Sequence, residues 1–193
     1  YNYYTSVSTL HAIKSQVSES LINKIDETWS GQVEPAMRAD GDYWMDENSK
    51  GYNLRERLYE HLELWQFITE GKLSKKYYDF AIHLVKKNFL CTQCNSPVEL
   101  KTNFFKSQYV TCPYCNTVNT FEPETKYAQI GWNVINNIAA LNSYDEYIAM
   151  KKTARADKQN YKQAYRIYIE KYFAERIKLL PESALTYKEN IEL

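Results

Sequence analysis

Four cysteines, the only ones in 193 residues, fall within 25 consecutive positions as Cys91-x2-Cys94 and Cys112-x2-Cys115, with 17 residues between the pairs. Few features restrict a chain so tightly. A two-residue gap lets one tight turn present both sulfurs to a tetrahedral ion, so two such turns facing each other close a site. Clustered pairs are metal-ligand usage, whereas a disulfide scaffold disperses its cysteines. Two disulfides or four unligated thiols are the alternatives.

Each pair is followed by asparagine, Asn95 and Asn116. Asn tolerates left-handed backbone better than most residues, and that conformation would aim the next N–H at a ligating sulfur. Over residues 91–115 the motif resembles the zinc-ribbon class, whose members include nucleic-acid-binding modules and purely structural or protein-docking inserts. The expected ligands are Cys91, Cys94, Cys112 and Cys115 around one Zn2+, with iron as the alternative ion. Four thiolates leave no open coordination position, so a structural rather than catalytic ion is expected. Reduced, metal-committed thiols suggest a reducing compartment, hence a cytoplasmic protein.

Residues 89–123 have strand character, with Val98, Leu100, Tyr109, Val110, Val118 and Phe121 set between cysteine pairs and turn residues. On both sides the apolar period is helical. Helices are expected from Val7 to Trp29, through Leu54 to Ile68 with a stop at Gly71, and from Ser74 to Asn88. Others are expected from Lys126 to Leu141, after a capping box of Ser143 and Glu146, and from Tyr161 to Leu180, where Pro181 ends the ladder. A long loop is expected between Ser30 and Gly51. The fold class is therefore mainly α: a helical domain made of residues 1–88 and 124–193, carrying a small antiparallel β zinc ribbon, 89–123, as an insert.

Bulk properties exclude several functions. Basic and acidic side chains balance at 24 each, so the whole molecule has no electrostatic preference for polyanions. No stretch approaches the roughly 20 consecutive apolar residues of a membrane-spanning helix. With 5 glycines there is no GxGxxG, no phosphate loop and no GxSxG, and HExxH is absent too. Glu60, His61 and Glu63, with Asp79 and His83 on the next expected helix, form a candidate metal or active-site grouping, yet the Glu-x-x-His spacing of di-iron bundles is missing. Asp40 and Asp46 both fail as the start of an EF-hand.

Two surfaces remain. Phe104 and Phe105 lie near the expected tip of a hairpin between the cysteine pairs, placed either to dock a partner or to fold back and anchor the ribbon. Lys151, Arg155, Lys158, Lys162 and Arg166 recur at spacings of four and three, which would set five cations on one helical face suited to phosphate. The acidic residues Asp40, Asp42, Asp46 and Glu47 offer a complement to such a row. The leading expectation is a protein–protein interaction or adaptor module with another protein as partner. Nucleic-acid binding through residues 151–178 comes next, and an enzyme whose site carries no recognised motif is third.

Overall fold

The pervasive helical period is realised in six α-helices among the described residues: α1 (Tyr3–Thr28), α2 (Glu34–Ala39), α3 (Met45–Asn88), α4 (Thr125–Asn142), α5 (Tyr144–Ala156) and α6 (Tyr161–Leu179). Two short strands, β1 (Gln108–Thr111) and β2 (Val118–Phe121), pair antiparallel. The protein is thus mainly helical with a small two-stranded sheet. The structure is a computed structural model that describes residues 2–41, 45–100, 105–156, 159–185 and 187, and of residues 45–48, 86–88 and 126–130 the backbone alone. The chain divides into two compact units, Asn2–Glu70 and Gly71–Leu193. The division falls inside α3, and residues 89–123 stay in one unit with α4, α5 and α6.

In the first unit α1 lies antiparallel to the first part of α3. Arg55 meets Asp26 at 3.4 Å, and further along His11 pairs with Glu70. Asn2 caps α1, its side chain accepting from the Thr5 N–H at 3.2 Å. The expected loop after Trp29 is largely helical. A π-helical turn, Trp29–Val33, continues into α2, whose first turn accepts Pro35 because no N–H is needed there. Gly51, which looks like a loop residue, is inside α3: a Cβ there would come within 2.7 Å of the Trp29 ring.

The second unit is built around α4. Gly131, Val134, Ile135, Ile138 and Ala139 recur at helical spacing and are all buried. Phe173 from α6, Leu180 just after that helix, and Met150 from α5 are buried too. Polar ties join α6 to α4: Arg176 Nε donates to Asn136 Oδ1 at 2.9 Å while its guanidinium stacks 4.2 Å from the Trp132 ring centroid. Next to it Glu175 accepts from Lys178 at 2.6 Å, which with Lys171 holds its carboxyl below the usual range against the opposing effect of burial.

Two sequence expectations are corrected here, and of the two placements open to Phe105 one is found. Gly71 does not end a helix, since Met45–Asn88 is continuous. A Cβ at Gly71 would lie 2.7 Å from Leu141 Cβ, so glycine serves the close approach of α3 and α4. Ser143 precedes α5 as expected but does not form a capping box, because its hydroxyl turns back to donate to Ala139 O at 2.9 Å. Phe105 is not on an exposed tip: it is buried, its ring 6.1 Å from that of Tyr78, at the spot where a Cβ on Gly131 would overlap it.

That last contact makes a sign-sensitive prediction. Gly131→Ala alone should destabilise by about 1–3 kcal/mol through overpacking, despite the roughly 1 kcal/mol that Ala gains over Gly inside a helix. In a Phe105→Ala background the same change should become neutral or stabilising. Denaturant melts of the four-protein cycle report the coupling.

Candidate metal centre

The site is assembled from two turns of the same construction. In the first, the Cys91 N–H donates to Ser96 O at 2.8 Å and the Asn95 N–H to Cys91 O at 3.0 Å. In the second, the Cys112 N–H donates to Thr117 O at 2.9 Å and the Asn116 N–H to Cys112 O at 3.0 Å. Both asparagines have φ 59°, the left-handed backbone that only glycine and a few small polar residues adopt at low cost. Antiparallel pairing closes each turn at the same offset, Leu90 opposite Pro97 and Thr111 opposite Val118. Beyond the first turn the Val98 N–H donates to Phe89 O at 3.0 Å, and Asn88, the next residue back, already belongs to α3. The second turn is itself the tip of the β1–β2 hairpin.

The four sulfurs lie within 4.8 Å of one another. Cys91 Sγ is 3.5 Å from Cys115 Sγ, and Cys94 Sγ is 3.6 Å from Cys112 Sγ. A disulfide requires about 2.05 Å, whereas the edge of a tetrahedron with metal–sulfur bonds of about 2.3 Å is about 3.8 Å. The spacing therefore suits four ligands of one ion, and the contacts cross from turn to turn. Cys91 and Cys112 are fully buried and Cys94 is exposed.

Donors surround the sulfurs. The Cys94 N–H, with those of Gln93 and the Asn119 amide, pulls the Cys91 thiol down to about 6. The Ser96 hydroxyl and N–H lower Cys94, whereas at the equivalent position of the second turn the Thr117 hydroxyl accepts from Cys115 Sγ at 3.3 Å and donates to Gln93. Burial works the other way at Cys112, whose thiol is pushed up to about 11 even though the Cys115 and Tyr114 N–H groups face it. A cation among the sulfurs would favour the thiolate at all four.

Asn119, which the sequence reading passed over, joins the two turns. It is buried on β2, and its Oδ1 accepts from the Thr92 N–H at 2.9 Å and the Thr92 hydroxyl at 3.0 Å. Its Nδ2 donates to Thr117 O at 3.0 Å and reaches Cys91 Sγ at 3.6 Å. All four hydrogen-bonding positions of the amide are thus used. The signal that marks it is the strand alternation, which puts Asn119 on the inward face with Phe121.

The chain matches no protein-family model, no curated protein and no solved structure. Its site must be read from its own geometry.

The remaining candidates are dispersed. Lys151 and Arg155 belong to α5, Lys162 and Arg166 to α6, so the row of cations is broken between Ala156 and Tyr161 and does not form one helical face. Lys158 lies outside the described residues, as do Phe104, Asp42 and the side chains of Asp46 and Glu47. Arg166 is committed to Glu170 at 2.8 Å, and Lys151 sits 5.8 Å from the Tyr147 ring centroid. Glu60, His61, Glu63, Asp79 and His83 lie along the single helix α3 rather than on two facing helices, and Asp79 pairs with Lys75 at 2.9 Å. Among the described residues, the tetrad is the one group of three or more His, Cys, Asp or Glu side chains placed to hold a metal.

Asn119→Ala removes the tie between the turns while leaving four thiols. Metal affinity is expected to fall about 10- to 100-fold, the usual cost of losing an outer-shell partner. Competition against a chromophoric chelator measures it. An unchanged affinity would reduce Asn119 to a packing residue.

Proposed function

We propose that the tetrad is the structural Zn2+ site of a zinc ribbon and that the ribbon presents a contact surface for another protein. The observation that carries this reading is the outer face of the hairpin. Tyr109, Tyr114 and Val118 are 80, 69 and 61% exposed, on a segment only a few residues from the metal ligands. Register puts Tyr109, Thr111, Val118 and Thr120 on one face of β1 and β2, opposite the inward Val110, Asn119 and Phe121. Tyrosines on a rigid frame offer large amphipathic contact area with little rotamer entropy to lose.

Charge favours a protein over nucleic acid. Among the described residues of 89–123 the one basic side chain is Lys106, and it is paired with Glu182. A Zn2+ bound by four thiolates would itself be net negative. The described residues of this face offer phosphate no unpaired cation. Zinc is favoured over iron because a closed tetrahedral four-thiolate site is its commonest structural setting. The closed shell also supports a bracing rather than a catalytic role.

Elemental analysis of the purified protein should find one zinc per chain, with loss of metal in Cys94→Ser. Tyr109→Ala with Tyr114→Ala should keep the zinc and the thermal midpoint, since exposed side chains contribute little to stability. The same variant should lose a discrete protein partner that the parent retains from nuclease-treated extract. Recovery that disappears on nuclease treatment, or that the double variant leaves unchanged, contradicts the docking role.

A further inference from the structure

The first unit has little to hold it together. Among its described residues the buried apolar side chains are Tyr3, Leu10 and Ile22, all on α1. Meanwhile Ile13, Val17 and Leu21 on α1, and Leu54 and Trp65 on α3, are each more than a third exposed. The α1 residues are four apart, and Leu54, Leu58 and Trp65 recur at helical spacing, so two stripes run along a helical hairpin. Isolated apolar residues on a surface are unremarkable, but Leu21 and Leu54, one from each stripe, line a common groove.

Between the stripes is a groove of about 450 Å³. Leu21, Ile25, Trp29, Leu54 and Leu58 form its apolar part. Lys24, Thr28, Arg57 and His61 supply its polar part, and among the described residues no carboxylate lines it. Neither Lys24 nor Arg57 has an ion-pair partner among the described residues. The neighbouring cations differ: Arg55 is matched by Asp26 and Arg38 by Glu34. An apolar floor flanked by unmatched cations has one complement of simple chemistry.

We propose that this groove receives an amphipathic helix of a partner protein, with its apolar side chains on the floor and its Asp or Glu side chains against Lys24 and Arg57. From Leu21 to Trp29 the α1 side of the groove rises about 12 Å, room for roughly two turns of a docked helix. A third helix there would complete a three-helix bundle and remove Leu21 and Leu54 from water. A second copy of the hairpin fits less well, because it brings the same cations and no groove carboxylate to meet them. The inference extends the protein-interaction reading to a second surface and does not depend on zinc.

The probe is a phage-displayed library of helical peptides, selected against the full chain. Enriched sequences are expected to carry apolar residues at i, i+3, i+4 and i+7 with flanking Asp and Glu, and to lose at least tenfold in affinity against Leu54→Glu. Lys24→Glu with Arg57→Glu, both exposed positions, should keep the helical circular dichroism and switch enrichment to Lys- and Arg-flanked peptides. Tyr109→Ala with Tyr114→Ala should leave the selection untouched, which separates this groove from the ribbon face. The proposal is overturned by no enrichment, by enrichment that ignores the charge swap, by a dimer of the chain that Leu54→Glu dissociates, or by binding to anionic vesicles that the charge swap abolishes.

Discussion

Four cysteine sulfurs held within 4.8 Å of one another are the constraint on which the ribbon rests. Their thiolates would repel without a cation among them, and as thiols they would give up most of the attraction that brings two turns together. Around the sulfurs the apolar cluster is slight: Cys91, Val98 and Cys112 are buried, with Phe89, Val110 and Cys115 packed against them, while Phe105 is buried away from it beside Tyr78. A cluster of that size does not hold thirty-odd residues in one conformation, and small segments of this kind depend on a metal or disulfide. The hydrogen-bonding frame could hold an ion. It consists of two matched turns, donors to the sulfurs, and the Asn119 amide spanning between them.

The ribbon is tied to the helices by ordinary packing. Phe105 is buried beside Gly131 and Tyr78, Phe89 stands edge-on to Phe121 at 5.3 Å, and Lys106 reaches Glu182. These contacts explain how the small two-stranded segment is held by a body whose own core lies along α4. They also leave the other side of the hairpin, with Tyr109 and Val118, facing solvent. Burial and exposure are thus divided between the two faces of one pair of strands.

Much of this was legible from residue types alone. The cysteine spacing named the cluster, and the asparagines after each pair announced the left-handed turns that both adopt. The final helix ended where Pro181 required. What misled were residues whose role is set by a distant neighbour. Gly51 and Gly71 read as breaks because glycine favours them locally, yet each lies inside α3 where another side chain comes too close for a Cβ. The hydroxyl of Ser143 fits a capping box in sequence and instead bonds back to the preceding turn. The cations from Lys151 to Arg166 have the spacing of one helix, but spacing does not reveal that the helix stops at Ala156. Asn119 was invisible because a polar residue between Val118 and Thr120 looks exposed until the register puts it inside.

Hydrogen exchange on the metal-loaded protein, before and after treatment with a strong chelator, tests the dependence of the ribbon on its ion most directly. The amides of Cys91, Asn95, Cys112 and Asn116 each donate within a turn and should lose protection when the metal is removed, while those of Val134 to Ala139 in α4 keep theirs. If the four turn amides stay protected in the metal-free protein, packing alone holds the ribbon and the metal is not its organising element.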